Sequence, residues 1–263
     1  MKNLINKVVV ITGAGSGMGR AYAHAFSAQG CKLALCDLDS DGLTETVAQL
    51  DTNSADVFHQ SVDVSDHAAM TDFADAVKRQ LGPAHIVINN AGIEGSAKPT
   101  WATDLSDYRR VMDVNYFGVV QFVRNVLPLM KEQGSGYIVN ISSITGLKGL
   151  PTYTSYGASK FAIRGFSDSL RHEVKKYGIK VSVVAPPGVH TPMVDDDLES
   201  HPDWFHKFKV IEVDQVLNKM ISGMRKGRFL ILVSADSKLM YAMLRFFPRA
   251  FTALFMWLYK MEK

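Results

Sequence analysis

The chain has 263 residues, 47% of them hydrophobic, and this length suits one α/β domain because no linker, charge block or repeat divides it. A formal net charge of +3 gives no reason to expect a nucleic-acid partner. Two cysteines and scattered histidines supply too few convergent ligands for a metal site, so free thiols and no metal are expected.

Short β-branched runs alternate with helical patterns along the chain. Strands are expected at 7–12, 32–37, 57–62, 86–88, 137–142, 180–185 and 228–233. Helices are expected at 20–29, 40–50, 66–81, 106–131 and 152–177. Strands joined by such long helices require crossover connections, hence a parallel sheet covered on both faces. The sequence predicts one doubly wound, three-layer α/β domain over residues 1–235, with ligands bound at the carboxyl ends of its strands.

A glycine-rich loop follows the first predicted strand, in the sequence Thr12-Gly-Ala-Gly-Ser-Gly-Met-Gly19. Glycines between a strand and a helix let backbone N–H groups approach a pyrophosphate at the helix N-terminus. Flexible turns also collect glycine, so the loop owes its significance to the elements on either side. The residues expected around the phosphates are Gly13, Ser16, Gly17, Met18 and Gly19.

Asp37 ends the second predicted strand. A carboxylate at this place accepts hydrogen bonds from both ribose hydroxyls and repels a 2′-phosphate. No basic residue that would hold such a phosphate occupies Ala14, Ser16, Met18 or Leu38. The predicted cofactor is therefore NAD(H) in preference to NADP(H); a turn-capping role for Asp37 is the alternative.

Two further strand ends carry candidate cofactor contacts. Asp63 follows the third strand and suits an adenine amino group, although an ordinary turn aspartate is an alternative. Small side chains in the turn Asn89-Asn-Ala-Gly92 let the backbone and a cofactor meet. Contacts are expected from Leu38, Asp63, Val64, Asn90, Ala91 and Gly92.

Tyr156 and Lys160 stand four residues apart and follow Ser143 by thirteen and seventeen residues. Residues at i and i+4 share one helix face, and a surface pair is the alternative interpretation. The pKa of a phenol is about 10, but the Lys160 ammonium and an oxidised nicotinamide favour the phenolate. Tyr156 would exchange a proton with an alcohol or carbonyl, with Ser143 as a nearby hydroxyl.

Together these motifs resemble the classical short-chain dehydrogenase/reductase family over about residues 5–195. The matching residues are Thr12-Gly-x-x-x-Gly17-x-Gly19, Asn89-Asn-Ala-Gly92, Asn115, Ser143 and Tyr156-x-x-x-Lys160. The resemblance implies a Rossmann-type core of about seven strands and hydride transfer between a nicotinamide and an alcohol or carbonyl. It also implies a catalytic tetrad of Asn115, Ser143, Tyr156 and Lys160, and a homodimer or homotetramer. On the family's spacing Ser143, rather than its neighbour Ser142, would donate to the substrate oxygen, and Lys160 would also bind the nicotinamide ribose. Asn115 would hold a water that links Lys160 to solvent, or would only kink its helix.

The resemblance departs from the family pattern after the sixth strand. Where Pro-Gly is usual, this chain has Pro186-Pro-Gly188, and the expected Thr191 keeps its place. Thr191 is expected to bind the nicotinamide carboxamide. Pro186, Gly188 and Val189 are the remaining predicted cofactor contacts.

The segment 191–209 contains Trp204, Phe205 and Phe208 and is long enough for a mobile lid. An aromatic lid suits an apolar substrate, and packing against the body of the protein explains these residues equally well.

The predicted C-terminal extension, 236–263, belongs to a basic segment. Between 219 and 263, nine Lys and Arg residues face two acidic residues, a net charge of +7. Apolar residues keep helical spacing at 240, 243, 244, 247, 251, 254, 255 and 258, opposite Lys238, Arg245, Arg249, Thr252 and Lys260. Pro248 should divide the extension into two helices. Such a basic amphipathic face suits peripheral attachment to a membrane and a lipophilic substrate. Packing on the protein or on a partner subunit is an equal alternative.

The sequence thus favours an NAD(P)-dependent alcohol dehydrogenase or carbonyl reductase acting on a small apolar substrate. A redox sensor that binds the dinucleotide without turnover is a competing hypothesis, and so is a related reaction such as epimerisation. The polar N-terminus is unlike a signal peptide, so a cytoplasmic protein is expected, with the inner face of a membrane as its contact.

Overall fold

The computed structural model describes residues 4–50, 56–196 and 201–258. Its strands are β1 Val8–Thr12, β2 Lys32–Asp37, β3 Val57–Ser61, β4 Ile86–Asn89, β5 Gly136–Ile141, β6 Ile179–Ala185 and β7 Leu230–Leu232. All neighbouring pairs are parallel, in the order β3-β2-β1-β4-β5-β6-β7. The strand order changes direction between β1 and β4, so a crevice opens at their carboxyl ends. The predicted doubly wound parallel sheet is confirmed.

Helices cover both faces of this sheet. They are α1 Gly17–Ser27, α2 Ser40–Ala48, α3 His67–Leu81, α4 Leu105–Met112, α5 Gly118–Glu132, α6 Thr154–Val174, α7 Pro192–Asp195, α8 Val213–Arg225, α9 Ala235–Phe246 and α10 Pro248–Leu258. Buried side chains of α1, α2 and α8 form one core with Val9 and Ile11 of β1. Those of α3, α5 and α6 form a second core with Val8 and Val10. Because β1 is buried on both faces, its sequence is continuously apolar.

The helix expected over 106–131 is interrupted in its middle. A π-helical turn, Asp113–Phe117, separates α4 from α5 and contains the buried Asn115. A side-chain carbon on Gly118 would lie 2.8 Å from the Val64 carbonyl oxygen, so α5 begins in close contact with the chain after β3. The prediction of one regular helix was wrong here, since apolar periodicity does not register a single wide turn.

The C-terminal residues form two helices that meet at Pro248, as predicted. Their inward residues pack beside Trp204 and Tyr153 and are Met240, Tyr241, Leu244, Phe251, Phe255 and Met256. Their exposed large apolar residues are Leu239, Phe246, Phe247, Leu254 and Trp257. The predicted single apolar face is therefore divided, with positions 247 and 254 turned to solvent. The segment 259–263, with Lys260, lies outside the described residues. Within the described ranges, no helix has the length and apolarity needed to cross a bilayer.

Candidate active site

The glycine loop between β1 and α1 packs tightly against the chain after β4, and this leaves its other side open for a ligand. Gly13 and Gly17 have positive φ, and a side-chain carbon on Gly13 would come within 2.8 Å of the Ala91 backbone. A side-chain carbon on Gly19 would collide with the Gly13 carbonyl, which places Gly19 behind the loop. The Ser16 side chain does not cap α1. The backbone at the start of α1 therefore borders the crevice and fits a pyrophosphate.

Most of the predicted cofactor residues converge on this crevice. Its lining includes Gly13, Ser16, Gly17, Met18, Asp37, Leu38, Asp63, Val64, Asn90, Ala91, Gly92 and Thr191. An adjoining pocket is lined by Pro186, Gly188 and Val189, together with Ser143, Tyr156 and Lys160. Residues from seven separate parts of the sequence thus meet at one edge of the sheet, where the fold predicts a ligand.

Asp37 stands at the carboxyl end of β2, beside the glycine loop. Its Oδ2 accepts a hydrogen bond of 2.7 Å from the Gly15 N–H, and its Oδ1 accepts one of 3.1 Å from the Asp39 N–H. The neighbouring cation, Arg20, is engaged elsewhere: it donates to the Gly15 carbonyl and pairs with Glu45 at 2.7 Å. The Asp37 carboxylate therefore borders this end of the crevice, whereas the Arg20 guanidinium is bound to other groups.

Hydrogen bonds join the β4 turn to the glycine loop. The Thr12 hydroxyl accepts from the N–H groups of Asn90 and Ala91, both at 3.0 Å. The Asn90 amide donates to the Thr12 and Gly13 carbonyls at 3.1 and 2.9 Å. Asp63 lines the crevice and also accepts from the Ser65 N–H at 2.8 Å, so the turn role and a place at the crevice coexist.

Tyr156 and Lys160 project from α6 toward the end of β5. The Lys160 ammonium donates to the Ile141 carbonyl at 3.2 Å and lies 5.4 Å from the centre of the Tyr156 ring. The Ser142 hydroxyl donates to the Lys160 carbonyl at 2.9 Å and so secures the helix. Ser143 instead lies close enough to the Tyr156 phenol to stabilise its charged form. Of the two adjacent serines, Ser143 is the one that faces the phenol.

Asn115 supports the site from the π-helical turn. Its Oδ1 accepts from the Ile93 N–H at 2.8 Å, and its Nδ2 donates to the Ile93 carbonyl at 2.9 Å and to the Ser159 hydroxyl at 3.0 Å. A side-chain carbon on Gly92 would lie 3.1 Å from the Asn115 Oδ1 and 3.3 Å from the Lys160 Nζ. The Asn115 amide thus holds the chain after β4 against Lys160.

Burial dominates the electrostatics of the pair. It raises the pKa of the Tyr156 phenol, the nearby Glu94 carboxylate raises it further, and Ser143 lowers it. Burial also lowers the pKa of Lys160, which is 4% exposed, to about 8. In the cofactor-free protein the phenol is therefore protonated at neutral pH, and the expected preference for phenolate does not arise from Lys160 alone.

The pocket above Tyr156 has apolar and aromatic walls. Leu150, Val194, Trp204, Phe205 and Phe208 line it, and the last four come from the predicted lid segment. Residues 197–200 of that segment lie outside the described residues. Phe208 packs on Phe255 of α10 with ring centres 5.8 Å apart. The lid aromatics therefore both line the pocket and pack against the C-terminal helices.

Sequence reasoning missed a polar cluster beside Tyr156. It consists of Glu94, Tyr153 and His201, which we call the Glu94 cluster. The Tyr153 hydroxyl and the His201 Nδ1 are hydrogen-bonded at 2.5 Å, and the His201 Nδ1 lies 3.9 Å from the Glu94 carboxylate. Glu94 and Tyr153 line the pocket. Their spacing along the chain carries no motif, so only the fold reveals the cluster.

Comparisons with known proteins agree with this geometry. The family model described as short chain dehydrogenase matches residues 7–201. A putative oxidoreductase of Mycobacterium tuberculosis, SadH, is 36% identical over 248 residues that cover 90% of each chain. Levodione reductase of Leifsonia aquatica is 37% identical over 196 residues, covering 74% of this chain and 73% of that protein.

Solved structures show the same architecture. The crystal structure of levodione reductase has a TM-score of 0.83 at 29% identity and covers 90% of this chain and 99% of that one. A short-chain dehydrogenase/reductase from Burkholderia phymatum in complex with NAD has a TM-score of 0.82 at 30% identity, covering 93% and 96%. The chain therefore belongs to the short-chain dehydrogenase/reductase family of nicotinamide-dependent oxidoreductases.

Proposed function

We propose that the chain is an alcohol dehydrogenase or carbonyl reductase that prefers NAD(H) and acts on a small, largely apolar secondary alcohol or ketone. The observation that carries the proposal is the position of the Tyr156 phenol. The Tyr156 side chain lines, with Ser143 and Lys160, a pocket with aromatic walls that shares Asn90 and Gly92 with the cofactor crevice. A substrate carbon in that pocket would have a proton-exchanging group on one side and the crevice on the other.

The residues of the chain take distinct parts in this reaction. During oxidation, Tyr156 accepts the hydroxyl proton of the substrate, and Ser143 donates a hydrogen bond to the same oxygen. Lys160 adds positive charge that favours the phenolate when an oxidised nicotinamide is also bound in the site. A bound nicotinamide supplies the hydride acceptor or donor. In reduction, Tyr156 returns the proton to the carbonyl oxygen.

The crevice residues would hold the cofactor along its length. The start of α1 suits the pyrophosphate, Asp37 the adenosine ribose, Asp63 the adenine, Lys160 the nicotinamide ribose and Thr191 the carboxamide. Asn115 completes the proposed catalytic set as a positioning residue, because its side chain bonds to the Ile93 backbone and to Ser159.

Turnover with a panel of aliphatic, aromatic and steroid-like carbonyls tests the proposal. We expect NADH oxidation that depends on the carbonyl and is faster with the more apolar compounds. NADPH should be used poorly. Carbonyl-independent oxidation, or equal rates with every compound, would contradict the substrate assignment.

Cofactor preference should depend on Asp37. Asp37→Asn removes the charge that binds the ribose hydroxyls, so kcat/KM for NADH should fall by about 10- to 100-fold, as for a lost charged hydrogen bond. The variant should also discriminate less against NADPH, since the repulsion of the 2′-phosphate is gone. Steady-state kinetics with both cofactors measures this. Asp41→Asn, an exposed neighbour in the first turn of α2, is the matched control. An unchanged ratio of NADH to NADPH efficiency in Asp37→Asn would refute the assignment.

We further propose that the outer apolar face of α9 and α10 contacts a membrane. Phe246 and Trp257 are 71% and 70% exposed, and Lys238, Arg245 and Arg249 lie on the same two helices. Aromatic residues beside basic ones favour the interface of an anionic bilayer. Removing the helices would be a poor test, because Phe255 packs on the lid. Point changes on the outer face leave that packing intact.

Sedimentation with anionic phospholipid vesicles tests this contact. Phe246→Ser and Trp257→Ser should each weaken binding by about tenfold, since each loses burial of a large apolar side chain. Trp101→Ser, at an exposed tryptophan elsewhere in the chain, is the control and should bind like the wild type. If the wild type ignores vesicles and the two changes instead dissociate an oligomer, the face is a subunit interface and the membrane proposal fails.

A further inference from the structure

The chain after β4 carries Glu94 into the substrate pocket and is held on both sides. Asn115 binds the backbone N–H and carbonyl of Ile93, immediately before Glu94. Asp107 accepts hydrogen bonds from the N–H and hydroxyl of Ser96, both at 3.2 Å, two residues after Glu94. The carboxylate is therefore positioned by the fold before any substrate arrives.

This carboxylate opposes the chemistry beside it. Its charge raises the pKa of both Tyr153 and Tyr156, so it disfavours the phenolate that alcohol oxidation requires. No step of the proposed proton transfer uses it. The carboxylate is hydrogen-bonded to Tyr153 and also lines the pocket, and its two oxygens offer about four acceptor positions in all. A substrate group that donates a hydrogen bond can therefore share this carboxylate with Tyr153.

Two nitrogen atoms of the lid are buried beside Tyr153 and are not part of the pocket surface. His201 Nε2 and Trp204 Nε1 have no hydrogen-bond partner among the described residues. Both side chains pack on Tyr153, with ring centres 6.3 and 5.3 Å away. The Glu94 carboxylate lines the pocket and can only accept a hydrogen bond. A hydroxyl or an ammonium group can donate to it, and the uncharged hydroxyl costs less to bury among the apolar and aromatic walls.

We propose that Glu94 is a specificity-determining residue that selects alcohols and ketones carrying a second hydroxyl group near the reacting carbon. The second hydroxyl donates a hydrogen bond to the Glu94 carboxylate, while the apolar skeleton fills the aromatic part of the pocket. The substrate class is thus a diol or hydroxy ketone with a hydrocarbon frame. This inference rests on the proposed function, since it assigns the substrate of the same site.

Binding to the Tyr156→Phe variant loaded with NAD+ tests the inference without turnover. The ligands are cyclohexanol, the vicinal cyclohexanediols, their two more widely spaced isomers and the matching amino alcohols. At least one diol should bind about 10- to 100-fold more tightly than cyclohexanol, the range for a hydrogen bond to a charged group. Adding Glu94→Ala should bring that ratio close to one, whereas adding Glu132→Ala, at an exposed acidic residue, should leave it unchanged.

Three outcomes would overturn the inference. They are a ratio near one in the Tyr156→Phe variant, a raised ratio that survives Glu94→Ala, and tighter binding of the amino alcohols than of the diols, which would assign the site to a cation. Turnover by the protein with Tyr156 intact is measured separately. Preference for a diol without any turnover would refute the proposed function and leave the inference standing. Tyr156-dependent turnover, with a ratio of diol to cyclohexanol affinity that Glu94→Ala does not change, would support the proposed function and refute the inference.

The pH profile distinguishes this role from a structural one. The charged and titratable groups around the Tyr156 phenol are Glu94, Tyr153, Lys160 and His201. Glu94→Gln keeps the shape and removes the charge, so the pKa of Tyr156 should fall. Alcohol oxidation, which rises with pH as the phenolate forms, should then begin at lower pH. A profile that does not move would show that the carboxylate does not face the phenol.

Discussion

Tyr156→Phe should lower kcat for alcohol oxidation by on the order of 10²- to 10⁴-fold, the contribution expected of a positioned general acid–base group. The substitution removes one oxygen atom from a half-buried ring and leaves its packing on Tyr153 in place. NADH binding should remain within about twofold, because the crevice residues proposed to hold the adenosine are untouched. Steady-state kinetics together with a fluorescence titration of NADH measures both quantities.

The neighbouring phenol provides the control. Tyr153 lies 6.2 Å from Tyr156 between ring centres, and its hydroxyl is bonded to His201. Tyr153→Phe should therefore affect KM more than kcat. If Tyr156→Phe kept wild-type kcat, or if Tyr153→Phe were the more damaging change, proton transfer would have to be assigned elsewhere.

Lys160→Met should inactivate the enzyme and yet stabilise the cofactor-free protein. Burial lowers the pKa of Lys160 from 10.5 to about 8, so keeping its charge inside the fold costs about 3 kcal/mol at neutral pH. The Ile141 carbonyl loses its hydrogen bond in the variant, which offsets about 1 kcal/mol. The free energy of unfolding should therefore rise by about 2 kcal/mol. Activity should fall because the phenolate and the nicotinamide ribose lose their cation.

The difference in stability between Lys160→Met and the wild type should depend on pH. The folded-state pKa lies below the unfolded value, so the penalty is fully present below about pH 8 and disappears as pH rises toward 10.5. The advantage of Lys160→Met in urea unfolding should shrink over that range. Lys175→Met, at an exposed lysine just beyond α6, should show no such difference. A variant less stable than the wild type at pH 7 would contradict the idea that the buried charge is costly.

Much of the fold was predictable because its signals are local. The continuous apolar sequence of β1 follows from burial on both faces, and the crossover lengths require parallel strands. The sequence allowed a kink at Asn115 but not its form, a π-helical turn followed by the close approach of Gly118 to the distant Val64 carbonyl. The division of the C-terminal face likewise depends on where the lid lies, which no helical period records.

The functional site, like the fold, was predictable from the sequence only in part. The glycine loop, Asp37 and the Tyr156–Lys160 spacing place each group on a particular element, and the sheet then brings them to one edge. The sequence offered no sign that Glu94 would line the pocket with His201 beside it, because the two come from distant connections that only the fold brings within 3.9 Å of each other. Nor did it show that burial would outweigh the cation beside Tyr156.

Transfer of a labelled hydrogen tests the central claim most directly. A cyclic secondary alcohol deuterated at its carbinol carbon is incubated with the wild type and NAD+, and the NADH formed is analysed by mass spectrometry. The account predicts that NADH carries the deuterium and that Tyr156→Phe forms almost none. A redox sensor would bind NAD+ and form no NADH, and an epimerase would invert the alcohol without net NADH. Either result would contradict the account.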